Sequence, residues 1–238
     1  MSDPTALPAM PVDVVSDVVC PWCYIGKRRL ERALATTPDL PVVVRWRAYF
    51  LNPWVPRAGI SRTEYLTTKF GSVDRYMANV PRIAAAAADE GLRYDAKAIA
   101  RQPNTIDCHR LIRWADAAAG PDGAARMKQR LMDLYFAEGA DLTRRDVLAE
   151  AAASVGLDRD AVAARLATDA DEAAVTEEAE AAQRAGVQGV PCFVLGGVLA
   201  ISGAQSSDYL VEALSRAHAA FRDKLATGEI ADPTARPY

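Results

Sequence analysis

The first apolar stretch, Val12 to Val19, is rich in β-branched residues and alternates in part, so it reads as a strand buried on at least one face. From Tyr24 to Leu34 the apolar residues Ile25, Leu30, Ala33 and Leu34 recur among Lys27, Arg28, Arg29, Glu31 and Arg32. That is the stripe of an amphipathic helix, and Pro38 lies just past its end. Pro41 to Leu51 returns to β-branched and aromatic residues and predicts a second strand. Strand, helix and strand at this spacing make a βαβ unit with a right-handed crossover.

Beyond Ser61 the period changes. Alanine-rich, charge-laced stretches run to Gly186, punctuated by Pro81, Gly91, Pro103, Gly120, Pro121, Gly139 and Gly156, and predict a series of helices. Asn104 is placed to cap one that starts at Thr105, with Asp107 in its first turn, and Thr143 and Asp158 are further caps. Strand-like sequence then resumes: Gly189 to Leu195 and Val198 to Ile201 are short apolar runs joined by Gly196 and Gly197, the signature of a hairpin. A last helix is predicted over Ser207 to Ala226, followed by a loose tail. The expectation is an α/β fold interrupted by a large all-helical insertion.

Composition narrows the function. The 238 residues carry 28 Lys and Arg against 31 Asp and Glu, a formal charge of −3, which gives nucleic acid no basic footprint to bind. No apolar run approaches the roughly 20 residues of a membrane span. The first residues hold neither a basic region nor a continuous apolar one, so no secretory signal is read and the cytoplasm is the expected compartment. Four cysteines, Cys20, Cys23, Cys108 and Cys192, are too few to staple a secreted scaffold of this size. In a reducing compartment a close pair points to catalysis or metal binding.

The close pair is Cys20-Pro21-Trp22-Cys23, between the first strand and its helix. A three-residue separation at a helix start puts both sulfurs on one face, within reach of a disulfide. The unpaired N–H groups and positive dipole end there favour Cys20 as a thiolate, the form that attacks disulfides. Pro21 suits the first turn, where its missing N–H has no partner to lose. A structural zinc completed by Cys108, His109 or Cys192 is the competing reading. No second Cys-x-x-Cys or His-x-x-x-His follows, so no metal is expected and redox chemistry is favoured. Gly189-Val190-Pro191 just before a strand reads alone as a strand-initiating proline; beside a Cys-x-x-Cys it becomes a candidate cis-proline loop offering the main chain of Val190 to an extended substrate.

Four separated motifs then agree in order: Asp17 to Gly26 (DVVCPWCYIG), Asn104 to Trp114 (NTIDCHRLIRW), Gly186 to Pro191 (GVQGVP) and Ile201 to Gln205 (ISGAQ). Together they resemble the DsbA-like thioredoxin family, and within it the FrnE branch, related to 2-hydroxychromene-2-carboxylate isomerases and kappa-class glutathione transferases. The resemblance implies one thioredoxin-like domain over 11–226, with its core in 11–60 and 187–226, the insertion in 61–186 and a tail in 227–238. It also implies thiol-disulfide exchange with Cys20 attacking and Cys23 resolving, acting on protein or small-molecule disulfides. The implied cofactor is no tightly bound group but the Cys20–Cys23 disulfide itself, with glutathione as a co-substrate. The isomerase and transferase relatives usually carry a serine where Cys20 stands, so two cysteines here favour the dithiol reaction; a glutathione-dependent isomerase or transferase acting on an aromatic small molecule is the alternative. Some FrnE-type proteins have a further cysteine pair near the C-terminus, which this chain lacks.

The remaining polar residues receive smaller roles. Trp22 is expected at the rim of the site, and Asp17 is read as holding the loop ahead of proton transfer. Asn52 and Gln205, by resemblance, contact peptide or glutathione. Cys192 is expected to be a buried free thiol, His109 a packed structural histidine, and His218 solvent-facing. The redox direction, the physiological substrate and the oligomeric state are left open by the sequence.

Overall fold

The computed structural model describes residues 8–230. Its sheet has four strands in the order β2, β1, β5, β6: Met10–Ser16 (β1) lies parallel to Val42–Ala48 (β2) and antiparallel to Cys192–Leu195 (β5), which turns back into Leu199–Ser202 (β6). Every residue of β1 is buried, because both of its faces are covered. Met10, Val12 and Val14 face the core shared with Leu30 and Ala33 of α1 (Pro21–Ala35) and with Leu210, Leu214 and Phe221 of α9 (Ser207–Ala226). Each such Leu or Phe removed from water contributes about 1.5–3 kcal/mol. On the opposite face Val15 packs with Cys192, Tyr49 and Ala182, and Asp13 is buried between Arg45 and Arg47.

The βαβ unit is present with shifted ends. β1 stops at Ser16 where the expectation ran to Val19, because the Asp17 carbonyl turns back to accept the Cys20 N–H at 3.3 Å. Val18 and Val19 leave the sheet and join the core of the helical insertion. α1 begins three residues before Tyr24, and β2 is shorter than Pro41 to Leu51 at both ends.

The insertion is helical, with one addition. It comprises α2 (Arg62–Phe70), α3 (Val73–Met77), α4 (Val80–Ala88), α5 (Ile106–Phe136), α6 (Arg145–Ser154), α7 (Arg159–Leu166) and α8 (Glu172–Arg184). A small antiparallel ladder, β3 (Ile60–Ser61) with β4 (Arg101–Gln102), closes its first part. Gly120 and Pro121 mark a kink in α5 where the pattern suggested an end, with Gly120 at a φ of 64°. Asp158 caps α7 by accepting the Ala161 N–H at 2.8 Å. The other two cap expectations move by one residue: Thr105 precedes α5 while Asn104 accepts the Ile106 N–H, and Arg144 precedes α6 while Thr143 bonds Asp141. The hairpin turns through Gly196 and Gly197, at φ 59° and 68°, which L-residues with a Cβ rarely adopt. α9 spans Ser207–Ala226 as expected; most of the expected tail, 231–238, lies outside the described residues.

Two contacts set the position of α1. Arg29 binds Glu90 at 2.9 Å and the Ala204 carbonyl at 2.8 Å, tying the helix to the insertion and to the loop after β6. Gly26 faces the segment before β5: a Cβ there would stand 3.0 Å from Pro191 Cγ, 3.3 Å from Phe193 Cζ and 3.4 Å from the Ala204 Cβ.

Candidate active site

The strand-to-helix turn places Cys20 in extended conformation (φ −94°, ψ 114°) immediately before α1, with Pro21 in the first turn and Cys23 inside it. The Cys23 and Tyr24 N–H groups already donate to the Cys20 carbonyl, at 3.0 and 3.2 Å. The two thiols differ. Cys20 is held below the usual cysteine value, first because the Cys23 thiol hydrogen-bonds to its sulfur and then because the N–H groups of Cys23 and Trp22 point at it; burial and Asp17 oppose this. Cys23 is pushed well above the usual value, first by burial and then by its neighbour Cys20. All four cysteines are free thiols.

The loop before β5 closes over Cys20. The Val190–Pro191 peptide is cis, and the Cys20 thiol donates to the Val190 carbonyl at 3.6 Å. Gly203 N–H donates to the Pro191 carbonyl at 2.8 Å, which joins this loop to the segment holding Gln205. Gln205 itself is exposed, and its amide donates to the Ser202 carbonyl at 2.8 Å. Trp22 is half-buried against the insertion, with the Arg82 guanidinium 4.8 Å from its ring centre.

Asp17 is fully buried beneath the turn. One carboxylate oxygen accepts the Leu51 N–H at 2.8 Å and the other lies 3.3 Å from His109 Nε2. This contact joins the turn to α5 and fixes the His109 ring, which also meets Phe50 edge-on at 5.8 Å. Asn52 is buried as well, and its Oδ1 accepts from Lys69 Nζ at 2.5 Å and from the Tyr65 hydroxyl at 3.4 Å.

Two lysines near the sulfurs escaped the sequence reading. Burial lowers the Lys69 ammonium, while Cys20 and Asp17 act on it as the nearby negative groups. Lys128, in the middle of α5, is completely buried and electrostatically coupled to Cys23, Asp17 and Cys20. Neither has a local signature, because each reaches the site through the folding of the insertion. Cys108 and Cys192 are buried with thiols raised by burial, and His218 is half-buried on α9. Among the described residues no three His, Cys, Asp or Glu side chains gather as a metal set. A cavity of about 250 Å³ between Phe50, Asn52, the start of α5 and α8 has neither Cys20 nor Cys23 in its lining.

A paired thiol at a helix start, one sulfur acidic and facing a proline loop and the other buried, defines the thioredoxin-like class of thiol-disulfide oxidoreductases. The description "DSBA-like thioredoxin domain" matches residues 11–215. A probable DsbA oxidoreductase of Streptomyces coelicolor superposes with a TM-score of 0.80 at 33% identity, over 87% of this chain and 89% of that one. Two more distant structures share the fold. A 2-hydroxychromene-2-carboxylate isomerase gives 0.66 at 20% identity over 90% and 98% of the two chains, and the cytosolic disulfide reductase DsbM of Pseudomonas aeruginosa, solved with GSH, gives 0.54 at 22% over 91% and 99%. No curated protein matches the chain. The chain belongs to the DsbA-like thioredoxin family, and it is a thiol-disulfide oxidoreductase.

Proposed function

We infer that the Cys20-Pro21-Trp22-Cys23 motif carries the reaction, with Cys20 as nucleophile and Cys23 as resolving thiol. The observation that carries this reading is the asymmetry of the pair: Cys20 is the more acidic sulfur and faces the Val190 carbonyl, while Cys23 lies deeper and is raised by burial. In the reducing direction the Cys20 thiolate attacks a substrate disulfide, forming a mixed disulfide and releasing one substrate thiolate. Cys23 then attacks Cys20, releases the second thiolate and leaves the Cys20–Cys23 disulfide. The reverse sequence oxidises substrates.

The cis-proline loop serves as the substrate edge, with the main chain of Val190 meeting an extended segment and Pro191 shaping its floor. Pro21 and Trp22 set the helix start and the rim, and Asp17 holds the turn through Leu51 and His109. Asn52 and Gln205 flank the substrate; Lys69, fixed by Asn52 beside Cys20, gives a cation for the carboxylates of glutathione or of an acidic disulfide partner. No tightly bound cofactor enters the cycle. We assign the enzyme to the FrnE branch on its sequence motifs and to the cytoplasm, where glutathione as co-substrate would keep its partners reduced. No helix among the described residues is long and apolar enough to cross a membrane. The domain reading is one unit over 11–226 with its insertion at 61–186.

A glutathione redox titration with alkylation and mass readout tests this. Reversible loss of two thiols, mapped to Cys20 and Cys23, is expected, and the midpoint places the couple within the range of about −270 to −120 mV spanned by this fold. Glutathione accumulating on one cysteine without resolution overturns the dithiol cycle and favours the glutathione-dependent isomerase reading.

A further inference from the structure

Two hydrogen-bond donors are buried without an acceptor where the insertion meets the edge strand of the sheet. Lys128 of α5 is 0% exposed, and its Nζ has no hydrogen-bond partner among the described residues. Burial pushes it down only to about 8, so it carries its charge at neutral pH. The second donor is the indole Nε1–H of Trp46 on β2, likewise buried and unpartnered among the described residues. The Lys128 ammonium lies over the Trp46 ring at 5.5 Å from its centre, and the Lys27 ammonium, already paired with Glu31, at 5.6 Å. A ring face offsets part of an ammonium's charge but accepts nothing from the indole N–H. Leaving either donor unmet in the interior is costly, and two of them side by side call for a shared acceptor.

Trp46 and Lys128 line one cavity of about 40 Å³ between β2 and α5, room for a water or a small ion. The other cations of its wall are matched. Arg47 binds Asp13 at 2.5 Å and Glu178 at 3.2 Å, Arg113 binds Asp171 at 3.2 Å, and His109 Nε2 lies 3.3 Å from Asp17. The two wall carboxylates do not serve Lys128: Glu178 is taken by Arg47 and the Ala48 N–H, and Asp116 is exposed. A cation is repelled by the ammonium, and an apolar group leaves both donors unmet. A water accepts from both donors but leaves the charge uncompensated, whereas an anion supplies acceptor and countercharge together.

We propose that this cavity binds a small monovalent anion of chloride's size, held by the Lys128 ammonium and the Trp46 indole N–H. One donor belongs to the sheet and the other to the insertion, so the bound anion clamps α5 onto the edge strand. The inference involves neither sulfur and stands apart from the dithiol cycle.

Urea unfolding of the full-length protein at neutral pH and fixed ionic strength tests the site, with chloride replacing gluconate, an anion too large for the cavity. In the native protein, chloride raised from none to about 0.5 M is expected to lower the unfolding equilibrium constant by about tenfold on a saturating curve, as for a site present only in the folded state. Lys128→Met is expected to lose the response. Trp46→Phe keeps a ring for the ammonium but removes the N–H, and its response should need several-fold more chloride. Broadening of the chloride-35 NMR line reads binding directly and is expected with the native protein and lost in Lys128→Met. Equal stability of the native protein in chloride and gluconate overturns the proposal and leaves water in the cavity. A response or line broadening that Lys128→Met retains in full also overturns it, placing the anion elsewhere.

Discussion

On the outer side of the strand-to-helix turn, Cys20 meets a carbonyl, backbone N–H groups and the partly buried Lys69; on the inner side, one helical turn away, Cys23 meets apolar packing and the fully buried Lys128. The same element therefore offers the two sulfurs opposite environments. Polar contacts that strengthen as charge forms keep the outer thiol acidic, whereas loss of water dominates inside and keeps the second thiol protonated until it is called upon. Both sulfurs are buried, so in the proposed cycle the order of attack follows from the polar contacts each one meets.

The comparison breaks most sharply at the outer sulfur. Cys20→Ser is expected to abolish reduction of insulin disulfides, a turbidity assay in which residual full activity would remove the assignment; Cys23→Ser should instead accumulate a mixed disulfide visible by mass. The inner side is probed next through stability. Lys128 moves from its usual 10.5 to about 8 on folding, so the unfolded chain binds more protons between those values and native stability rises with pH through that window. Lys128→Met removes this dependence and should be more stable near neutral pH by about 3 kcal/mol, an advantage that shrinks toward pH 10. Urea unfolding at both pH values checks it, and an unchanged gap would contradict the unpaired burial.

A smaller effect links the two sides. Since the Cys23 thiol is the leading cause of Cys20 acidity, Cys23→Ala should raise the Cys20 titration and slow its alkylation by iodoacetamide at a pH below the usual cysteine value. An unmoved alkylation profile would assign the acidity to the helix start alone. The mildest change is expected at the rim, where Lys69→Met should raise the KM for glutathione disulfide by about fivefold with little change in kcat, the value of one partly screened charge contact.

The outer half of the site was legible because it is local. Cys20, Pro21 and Cys23 are adjacent in sequence, and a proline before a strand has few uses beside such a pair. The sheet and the closing helix were legible through their β-branched runs and hairpin glycines. The end of β1 was not, since Val18 and Val19 look like strand residues and only the Asp17 turn diverts them into the insertion core. Lys69 and Lys128 were invisible for a related reason: in sequence each is an ordinary helical lysine, and only the packing of α2 and α5 against the turn removes it from water. The contact of Asp17 with His109 spans 92 residues and has no local signature either.

Gly26 brings the two walls of the site to their separation. Its α-carbon hydrogen stands where any other residue would place a methyl group against Pro191, Phe193 and Ala204. The gap between the cysteine helix and the proline loop is thus gauged by an absent atom. Enlarging that position would wedge helix from loop and carry Cys20 away from the Val190 carbonyl without touching either cysteine, so the fit of a substrate strand depends on the smallest side chain in the helix as much as on the sulfurs it serves.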